Sequence, residues 1–320
     1  MDYIDEIISM KNQKMPYFLK WIIYNYKRLF KIFTIKQFAN EKVIIIPTNV
    51  NNKKISKWIK YLNDILYHNN FDTVVLSNTL KNIQGIKENL YASNINILEG
   101  KILKQNLVFK TIEYIANEMN EEIKDLEITL LVNENKKIYI EGILDLAQKT
   151  RNIKLVTNNV DDFKYLEQKI QELFGIFIRV TNNKRKSLVK SRIIINLDFP
   201  EELVNKYAIN PDAIIVNMNN KINIKSKQFS GINIHDMKLM IPINYNIEFE
   251  QKNIFNDFNL NEIYETSIIN MNYEEVQNKL KKDNIFIKAL IGVNGVIDNK
   301  EFEEKCEKYV KSIDKMSRLN

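Results

Sequence analysis

Short apolar runs alternate with amphipathic stretches through the middle of the chain. Five runs of mainly branched apolar residues stand between segments in which apolar residues recur every three or four positions. These runs cover 128–132, 153–157, 176–181, 193–197 and 213–217. Short buried strands that alternate with helical segments are typical of a parallel sheet wrapped by helices. The pattern therefore predicts an α/β fold, with helices over 138–149 and 163–174.

A second α/β pattern precedes this region. Its predicted strands are 43–46, 73–76 and 95–98, and its predicted helices are 55–68 and 105–120. The charged stretch 121–125 then separates the two patterns. We therefore expect two α/β domains with helical terminal segments. The expected bounds are 1–40 for an N-terminal amphipathic helical segment, 41–124 for the first α/β domain, 125–246 for the second, and 247–320 for a mainly helical C-terminal segment.

The terminal segments have helical periodicity of their own. Apolar residues recur at helical spacing over 16–38, and Lys20, Lys27 and Lys31 form a basic stripe opposite them. Such a helix either packs its apolar face on its own domain or lies on an anionic membrane surface. At the other end, 273–282 and 300–317 predict helices, whereas 285–291 fits a strand or a buried helical turn.

Composition describes an ordinary globular chain. Of 320 residues, 45% are hydrophobic and 27% are charged, which excludes a disordered protein. The net charge of +7 hints at an acidic partner, but lysines and acids are interspersed along the chain. The basic cluster 184–186 has no interleaved aromatic residues, so nucleic-acid binding is not the favoured interpretation.

The cysteine and histidine positions limit the chemistry. Cys306 is the single cysteine, which excludes a disulfide framework and a cysteine-based zinc site. His68 and His235 lie far apart, so no metal site is expected. Neither a signal peptide nor a membrane-spanning stretch is recognisable, so we expect a cytoplasmic protein, with peripheral membrane association through 15–38 as an alternative.

The segment 127–217 resembles the cofactor-binding domain of Rossmann-type dehydrogenases, and within these the shikimate dehydrogenase and glutamyl-tRNA reductase group. The resemblance rests on a first strand at 128–132, a second strand with a polar end at 153–159, and a segment at 187–196 that precedes and forms the fourth strand. It covers about a third of the chain. It implies a Rossmann-like parallel sheet and, if any cofactor binds, NADP. The cofactor-facing positions that it implies are Asn133, Asn135, Thr157, Asn158, Asn159, Asn196 and Asp198.

The chain departs from this family at the positions that hold the cofactor. A glycine-rich turn lets backbone amides approach a pyrophosphate, but 133–137 reads Asn-Glu-Asn-Lys-Lys. The second strand ends in Thr157-Asn158-Asn159, without the acid that binds a ribose hydroxyl. Asp198 would face a ligand at the end of the fourth strand, or would cap a short helix that follows Pro200.

The family's catalytic groups have no clear counterpart either. A shikimate-type enzyme pairs a lysine with an aspartate, and although Lys53, Lys54 and Asp64 are present, no motif surrounds them. Cys306, unlike a reductase nucleophile, lies in a charged helical segment whose acids raise a thiol pKa. We therefore expect no cofactor and a regulatory or scaffold role that binds a protein or small-molecule partner. The alternative is an NADP-dependent oxidoreductase with a divergent phosphate loop.

Overall fold

The structure is a computed structural model. It describes residues 34–38, 41–45, 62–64, 66–67, 72–218, 221–241, 257–298 and 300–304. The chain forms two compact units, the first comprising Met1–Gly100 and Pro242–Ile269 and the second Lys101–Ile241 and Asn270–Asn320. The four segments expected from the sequence stay a prediction of domain organisation. The contacts place 101–124, which we expected in the first domain, in the second unit.

The first unit contains two small sheets. Strands β1 (Thr34–Phe38) and β2 (Glu41–Ile45) form an antiparallel hairpin, and β3 (Thr73–Val74) pairs in parallel with β4 (Asn96–Ile97). Its helices are α1 (Asn78–Lys81), α2 (Ile86–Ala92) and α9 (Leu260–Thr266). A compact apolar cluster beside β3 and β4 includes Leu66, Leu76, Leu90 and Ile97. The strands expected over 73–76 and 95–98 are confirmed at these positions.

The end of the predicted N-terminal helix is a strand. The prediction of a helix over 16–38 is wrong for Thr34–Phe38, which pairs with Glu41–Ile45. Thr34, Ile35 and Phe38 are β-branched or aromatic residues, which fit a pleated strand well once a partner strand is available. The rest of that helix, with its three lysines, lies outside the described residues.

The second unit is built on one eight-stranded sheet. Its strands are β5 (Glu127–Leu131), β6 (Asn152–Val156), β7 (Arg179–Thr181), β8 (Ile193–Asn196), β9 (Ile214–Asn217), β10 (Ile232–Met240), β11 (Phe286–Gly292) and β12 (Gly295–Val296). They lie in the order β12-β11-β10-β9-β8-β5-β6-β7. The six strands from β5 to β10 are parallel, and their order is that of a Rossmann fold. The α/β prediction and the Rossmann-like sheet are therefore confirmed.

Helices connect the successive parallel strands from β5 to β9. They are α5 (Lys137–Ala147), α6 (Val160–Phe174), α7 (Lys184–Lys190) and α8 (Glu201–Val204). Helices α3 (Lys101–Asn106) and α4 (Val108–Glu118) precede β5, and α10 (Tyr273–Lys282) precedes β11. Two acids, Asp161 and Asp162, lie in the first turn of α6, and Gly175 ends it with a φ of 67°. The acids favour a helix N-terminus, and glycine adopts the left-handed conformation without strain.

Three elements differ from or extend the sequence prediction. The single helix expected over 105–120 is two helices, because the backbone of Leu107 leaves helical geometry at φ −96° and ψ 2°. The basic segment that begins at Asn183 forms α7, whose first turn Asn183 caps by accepting a hydrogen bond from the Lys186 amide. The ambiguous run 285–291 is the strand β11, antiparallel to β10.

The core of the second unit follows from strand alternation. Successive side chains of β5, β8 and β9 point to opposite faces of the sheet, and both faces are buried at these strands. One face packs Leu131, Val156 and Ile194 against Leu188 of α7 and Val204 of α8. Within the described residues, no helix is both long enough and apolar enough to cross a membrane.

Candidate functional site

The carboxyl ends of the parallel strands form the candidate site. In the sheet order, β5 lies between β8 and β6, so the direction in which the chain progresses across the sheet reverses between β5 and β8. Ligands of open α/β sheets bind in the crevice at such a change of direction. Six of the seven positions that the resemblance implies lie just after β5, just after β6 or just after β8, and Asn196 is the last residue of β8. The fold therefore brings the predicted site residues to one edge.

Asp198 is bonded to the loop that should hold phosphate. Its Oδ1 accepts a hydrogen bond from the Asn133 amide at 2.7 Å, and its Oδ2 accepts one from the Glu134 amide at 2.7 Å. These two N–H groups open the loop after β5, where a Rossmann fold presents backbone amides to a pyrophosphate. Asp198 does not cap the helix after Pro200, since α8 begins without a side-chain cap. A carboxylate of the chain itself occupies the position of the expected anion.

Opposing effects act on the pKa of the Asp198 carboxyl. Burial raises the pKa of this carboxyl above its ordinary value, and the two backbone hydrogen bonds oppose that effect. The nearby Glu134 raises the pKa further, and Lys136 lowers it. Lys136 is itself paired with Glu134 at 2.5 Å on the surface. The loop thus places negative charge where a phosphate would need positive charge.

The side chains of the loop close it onto the neighbouring strand end. Asn133 accepts a hydrogen bond from the Asn158 amide at 2.9 Å, and its carbonyl accepts one from Asn159 at 3.3 Å. Asn135 donates to the Asp162 carbonyl at 3.1 Å and accepts from the Tyr165 hydroxyl at 3.2 Å. These hydrogen bonds, most of them made by the side chains of Asn133 and Asn135, attach the loop to the end of β6 and to α6.

Polar groups at the end of β6 also form hydrogen bonds with one another. Thr157 is fully buried, and its hydroxyl accepts a hydrogen bond from the Asn159 amide at 3.0 Å. Asn158 and Asn159 are exposed and begin the turn into α6. The three residues expected to meet a ribose therefore form a polar turn between strand and helix.

A ladder of buried amides crosses three neighbouring strands. We call Asn196, Asn217 and Asn233 the amide ladder. Asn196 donates to the Asn217 Oδ1 at 3.2 Å, and Asn217 donates to the Asn233 Oδ1 at 2.8 Å. Asn196 also accepts from the Phe199 amide at 2.8 Å, and Asn233 donates to the Ile222 carbonyl at 2.9 Å. The hydrogen bonds of the ladder pair these buried polar groups. Buried polar groups without such partners would lower the stability of the fold.

Only Asn196 of the amide ladder was predicted from the sequence. A signal for Asn217 was present, because β8 reads Ile-Ile-Ile-Asn and β9 reads Ile-Ile-Val-Asn. A polar residue that closes two neighbouring buried strands in the same way indicates a contact between them. The register pairs Asn196 with Asn217 directly.

Lys184, the first residue of the basic cluster 184–186, was not predicted as a site residue. It is only 6% exposed, and its Nζ lies 3.4 Å from the carbonyl oxygens of Thr157 and Asn182. The ring of Phe199 lies beneath the same nitrogen at 5.9 Å. Burial lowers the pKa of this ammonium, and the charge of Lys206 lowers it further. The first residue of α7 is therefore buried, although it belongs to a basic cluster.

His235 is placed at the same edge by a β-bulge. The pairing of β10 with β11 shifts register between Ile234 and Asp236, so His235 has no direct partner across that ladder. Both ring nitrogens are buried and have no hydrogen-bond partner within the part of the chain that the structure describes. Burial lowers the pKa of the imidazole, as does Lys221, whereas Asp236 opposes this. His68 and Cys306 lie outside the described residues.

The residues at the sheet edge do not fit a dinucleotide. The amides of Asn133 and Glu134 already bind a carboxylate, and glycine is absent from the loop 133–137. No acidic side chain follows β6 within 157–159. Among the described residues, no group of three histidine, cysteine, aspartate or glutamate side chains is arranged to hold a metal.

Comparisons with known proteins give no closer assignment. No protein-family model and no curated protein matches the sequence. Among solved structures, L-tryptophan dehydrogenase from Nostoc punctiforme is 10% identical with a TM-score of 0.34, and the match covers 86% of this chain and 77% of that one. Aspartate transcarbamoylase from Trypanosoma cruzi in complex with N-(phosphonacetyl)-L-aspartic acid is 15% identical with a TM-score of 0.26. That match covers 55% of this chain and 62% of that chain, which is less than two thirds of its length.

Proposed function

We propose that this protein is a Rossmann-like binding protein with a regulatory or scaffold role, and that it does not use a nicotinamide cofactor. The partner belongs to a class that does not need the phosphate loop, namely a protein or a small molecule without a pyrophosphate. Fold alone does not specify activity, so the proposal rests on the site.

The observation that carries the proposal is the double hydrogen bond of Asp198. The Asp198 carboxylate accepts hydrogen bonds from the amides of Asn133 and Glu134, each at 2.7 Å. A pyrophosphate would have to displace this carboxylate. The displaced carboxylate would then lie close to the incoming phosphate, and like charges in a partly buried crevice repel strongly. An anion that is part of the chain also competes at a very high effective concentration. Both effects oppose nucleotide binding.

An NADP-dependent oxidoreductase with a divergent phosphate loop remains the second candidate. The parallel strand order and the change of chain direction between β5 and β8 favour it. Lys184 supports it as well, because a buried amine without a described acidic partner is the kind of group that active sites contain. The two candidates differ in whether a nucleotide binds at all.

Calorimetric titration of the full chain with NADPH, NADP and NADH tests the proposal. We expect no saturable heat up to about millimolar ligand, where binding would correspond to roughly −4 kcal/mol. Saturable binding of any of the three at micromolar concentration would overturn the proposal and support the oxidoreductase.

A matched variant separates the role of the carboxylate from that of the loop. Asp198→Ser removes the internal anion and leaves the amides of Asn133 and Glu134 available. If the carboxylate is what excludes phosphate, this variant gains measurable affinity for inorganic pyrophosphate and the wild type does not. Equal affinity of the two proteins would show that Asp198 does not exclude phosphate.

A further inference from the structure

The outer strand of the second unit leaves its backbone unpaired on one side. Strand β7 is last in the sheet order, and among the described residues no strand lies beyond it. The Thr157 amide donates to the Thr181 carbonyl at 3.0 Å, so the backbone groups of Thr181 face β6. Neighbouring residues of a parallel strand direct these groups alternately to the two sides. The amides and carbonyls of Ile178 and Val180 therefore point away from the sheet.

The sequence at this edge lacks the usual protection against pairing. Residues 176–180 read Ile-Phe-Ile-Arg-Val, which has high β-propensity, no proline and one charge. Natural sheet edges are commonly blocked by prolines, lysines, bulges or a covering element. Burial alternates here, with Phe177 and Arg179 exposed on either side of the buried Ile178. The exposed side chains thus lie on one face of the edge, as in a strand.

Phe177 is the most exposed phenylalanine among the described residues, at 71%. Leu173, which lies in the last turn of α6, is 58% exposed, and α6 packs against β7. Two large apolar side chains therefore flank Gly175 at the open edge. Apolar surface beside unpaired backbone groups is a characteristic of edges that receive another strand.

The charge pattern at this edge selects the strand that it receives. We propose that a second copy of this chain pairs with β7 in antiparallel orientation, centred on Ile178, so that Phe177 of each copy stacks on Arg179 of the other. In this register the outward backbone groups of Ile178 face those of Ile178 in the second copy. Phe177 and Arg179 then form a directly opposed pair with closely spaced side chains, and the pair occurs twice.

The contact between Phe177 and Arg179 is favourable because a guanidinium is attracted to the face of an aromatic ring. The alternative register centred on Arg179 would set two like charges opposite each other, which destabilises a strand pair. The interface is therefore self-complementary in the register centred on Ile178. It unites two eight-stranded sheets into one, and it involves none of the residues at the carboxyl edge.

Cross-linking between two different cysteine variants tests the register. Phe177→Cys and Arg179→Cys are each made in a Cys306→Ser background, which removes the single native cysteine. Opposed residues of an antiparallel pair have the Cα separation that a disulfide requires. We expect a disulfide-linked dimer in the mixture at several-fold higher yield than in either variant alone. A dimer of Arg179→Cys alone, or no dimer in the mixture, would overturn the proposed register.

Analytical ultracentrifugation tests the association itself. We expect a concentration-dependent dimer for the wild type, and a dissociation constant about 100-fold weaker for Phe177→Lys, since both ring contacts are lost and a lysine is set opposite Arg179 at two positions. Phe286→Lys is the matched control, because Phe286 is 52% exposed and lies in β11, near the opposite edge of the sheet. A wild type that remains monomeric, or a dimer that both variants weaken equally, would overturn the proposal.

Discussion

The carboxyl edge of the eight-stranded sheet and its outer strand β7 differ in how their polar groups are satisfied. At the carboxyl edge, backbone amides bind Asp198, and the amide ladder joins the ends of β8 and β9 to the beginning of β10. At β7, the backbone groups of Ile178 and Val180 point outward without a described strand partner. The first edge is where Rossmann folds bind ligands, and the second is one that many folds protect.

This contrast indicates where the chain can accept a partner. A phosphate-bearing ligand at the carboxyl edge would have to break internal hydrogen bonds, and each broken buried bond costs free energy. A strand added at β7 breaks none and satisfies groups that are otherwise bonded to water. The comparison therefore favours protein association over nucleotide binding.

The amide ladder should be the most sensitive point of the carboxyl edge. Asn217→Ala removes the middle amide, leaving Asn196 and Asn233 without their shared partner and opening a small cavity. We expect the free energy of unfolding to fall by about 3 kcal/mol. Denaturant unfolding followed by circular dichroism measures this. Asn158→Ala is the control, because that side chain is exposed; equal losses in the two variants would contradict the importance of the ladder.

Asp198 should contribute somewhat less to stability. Asp198→Ala leaves the Asn133 and Glu134 amides without their acceptor, and we expect a loss of about 2 kcal/mol in the free energy of unfolding. The loss is moderated because the carboxylate itself is partly desolvated and its pKa is raised by burial. Asp198→Asn keeps one acceptor oxygen and should lose about half as much.

A control for Asp198 separates backbone from side-chain effects in the loop. Glu134→Ala keeps the amide that binds Asp198 and removes only an exposed ion pair with Lys136. Such pairs contribute roughly 0.5 kcal/mol or less. If Glu134→Ala destabilised the protein as much as Asp198→Ala, the backbone hydrogen bonds would not be the source of the effect.

His235 should make stability depend on pH in a defined direction. Its pKa is lowered in the folded protein, chiefly by burial, so the unfolded chain binds the proton more readily. The contribution of neutral His235 to the free energy of unfolding is fully present above the unfolded pKa of about 6.5. It is lost as the pH falls through the folded pKa. One proton limits the slope to about 1.4 kcal/mol per pH unit.

Unfolding free energies at several pH values between neutral and mildly acidic conditions check this expectation. The variant His235→Leu lacks the titrating group, so its curve should lose that contribution in the same window. Parallel curves for the wild type and the variant would show that His235 is not responsible.

The smallest effect is expected at β7. Phe177→Ser changes a side chain that is 71% exposed, so the stability of the isolated chain should change by less than about 0.5 kcal/mol. Chemical unfolding at low protein concentration, where self-association is absent, measures this. A loss of 2 kcal/mol or more would show that Phe177 is part of the folded core rather than of an open edge.

Much of the second unit could be predicted because its signals are local. The runs at 128–132, 153–157, 193–197 and 213–217 predicted β5, β6, β8 and β9 to within a residue or two. Gly175 marked the end of α6 correctly. Strand 34–38 was missed because its pairing with 41–45 overrides a helical pattern that continues from earlier residues.

Sequence patterns were sufficient to predict the alternation of strands and helices from β5 to β9 and to show that the loop after β5 lacks glycine, because periodicity and residue type are properties of neighbouring positions. The sequence also brought the candidate residues to one edge, since parallel strands end on the same side. Only the tertiary structure decided what those residues do. The carboxylate of Asp198 meets the Asn133 amide across 65 positions. Such a meeting depends on how two strand ends are placed together, and no local pattern encodes it.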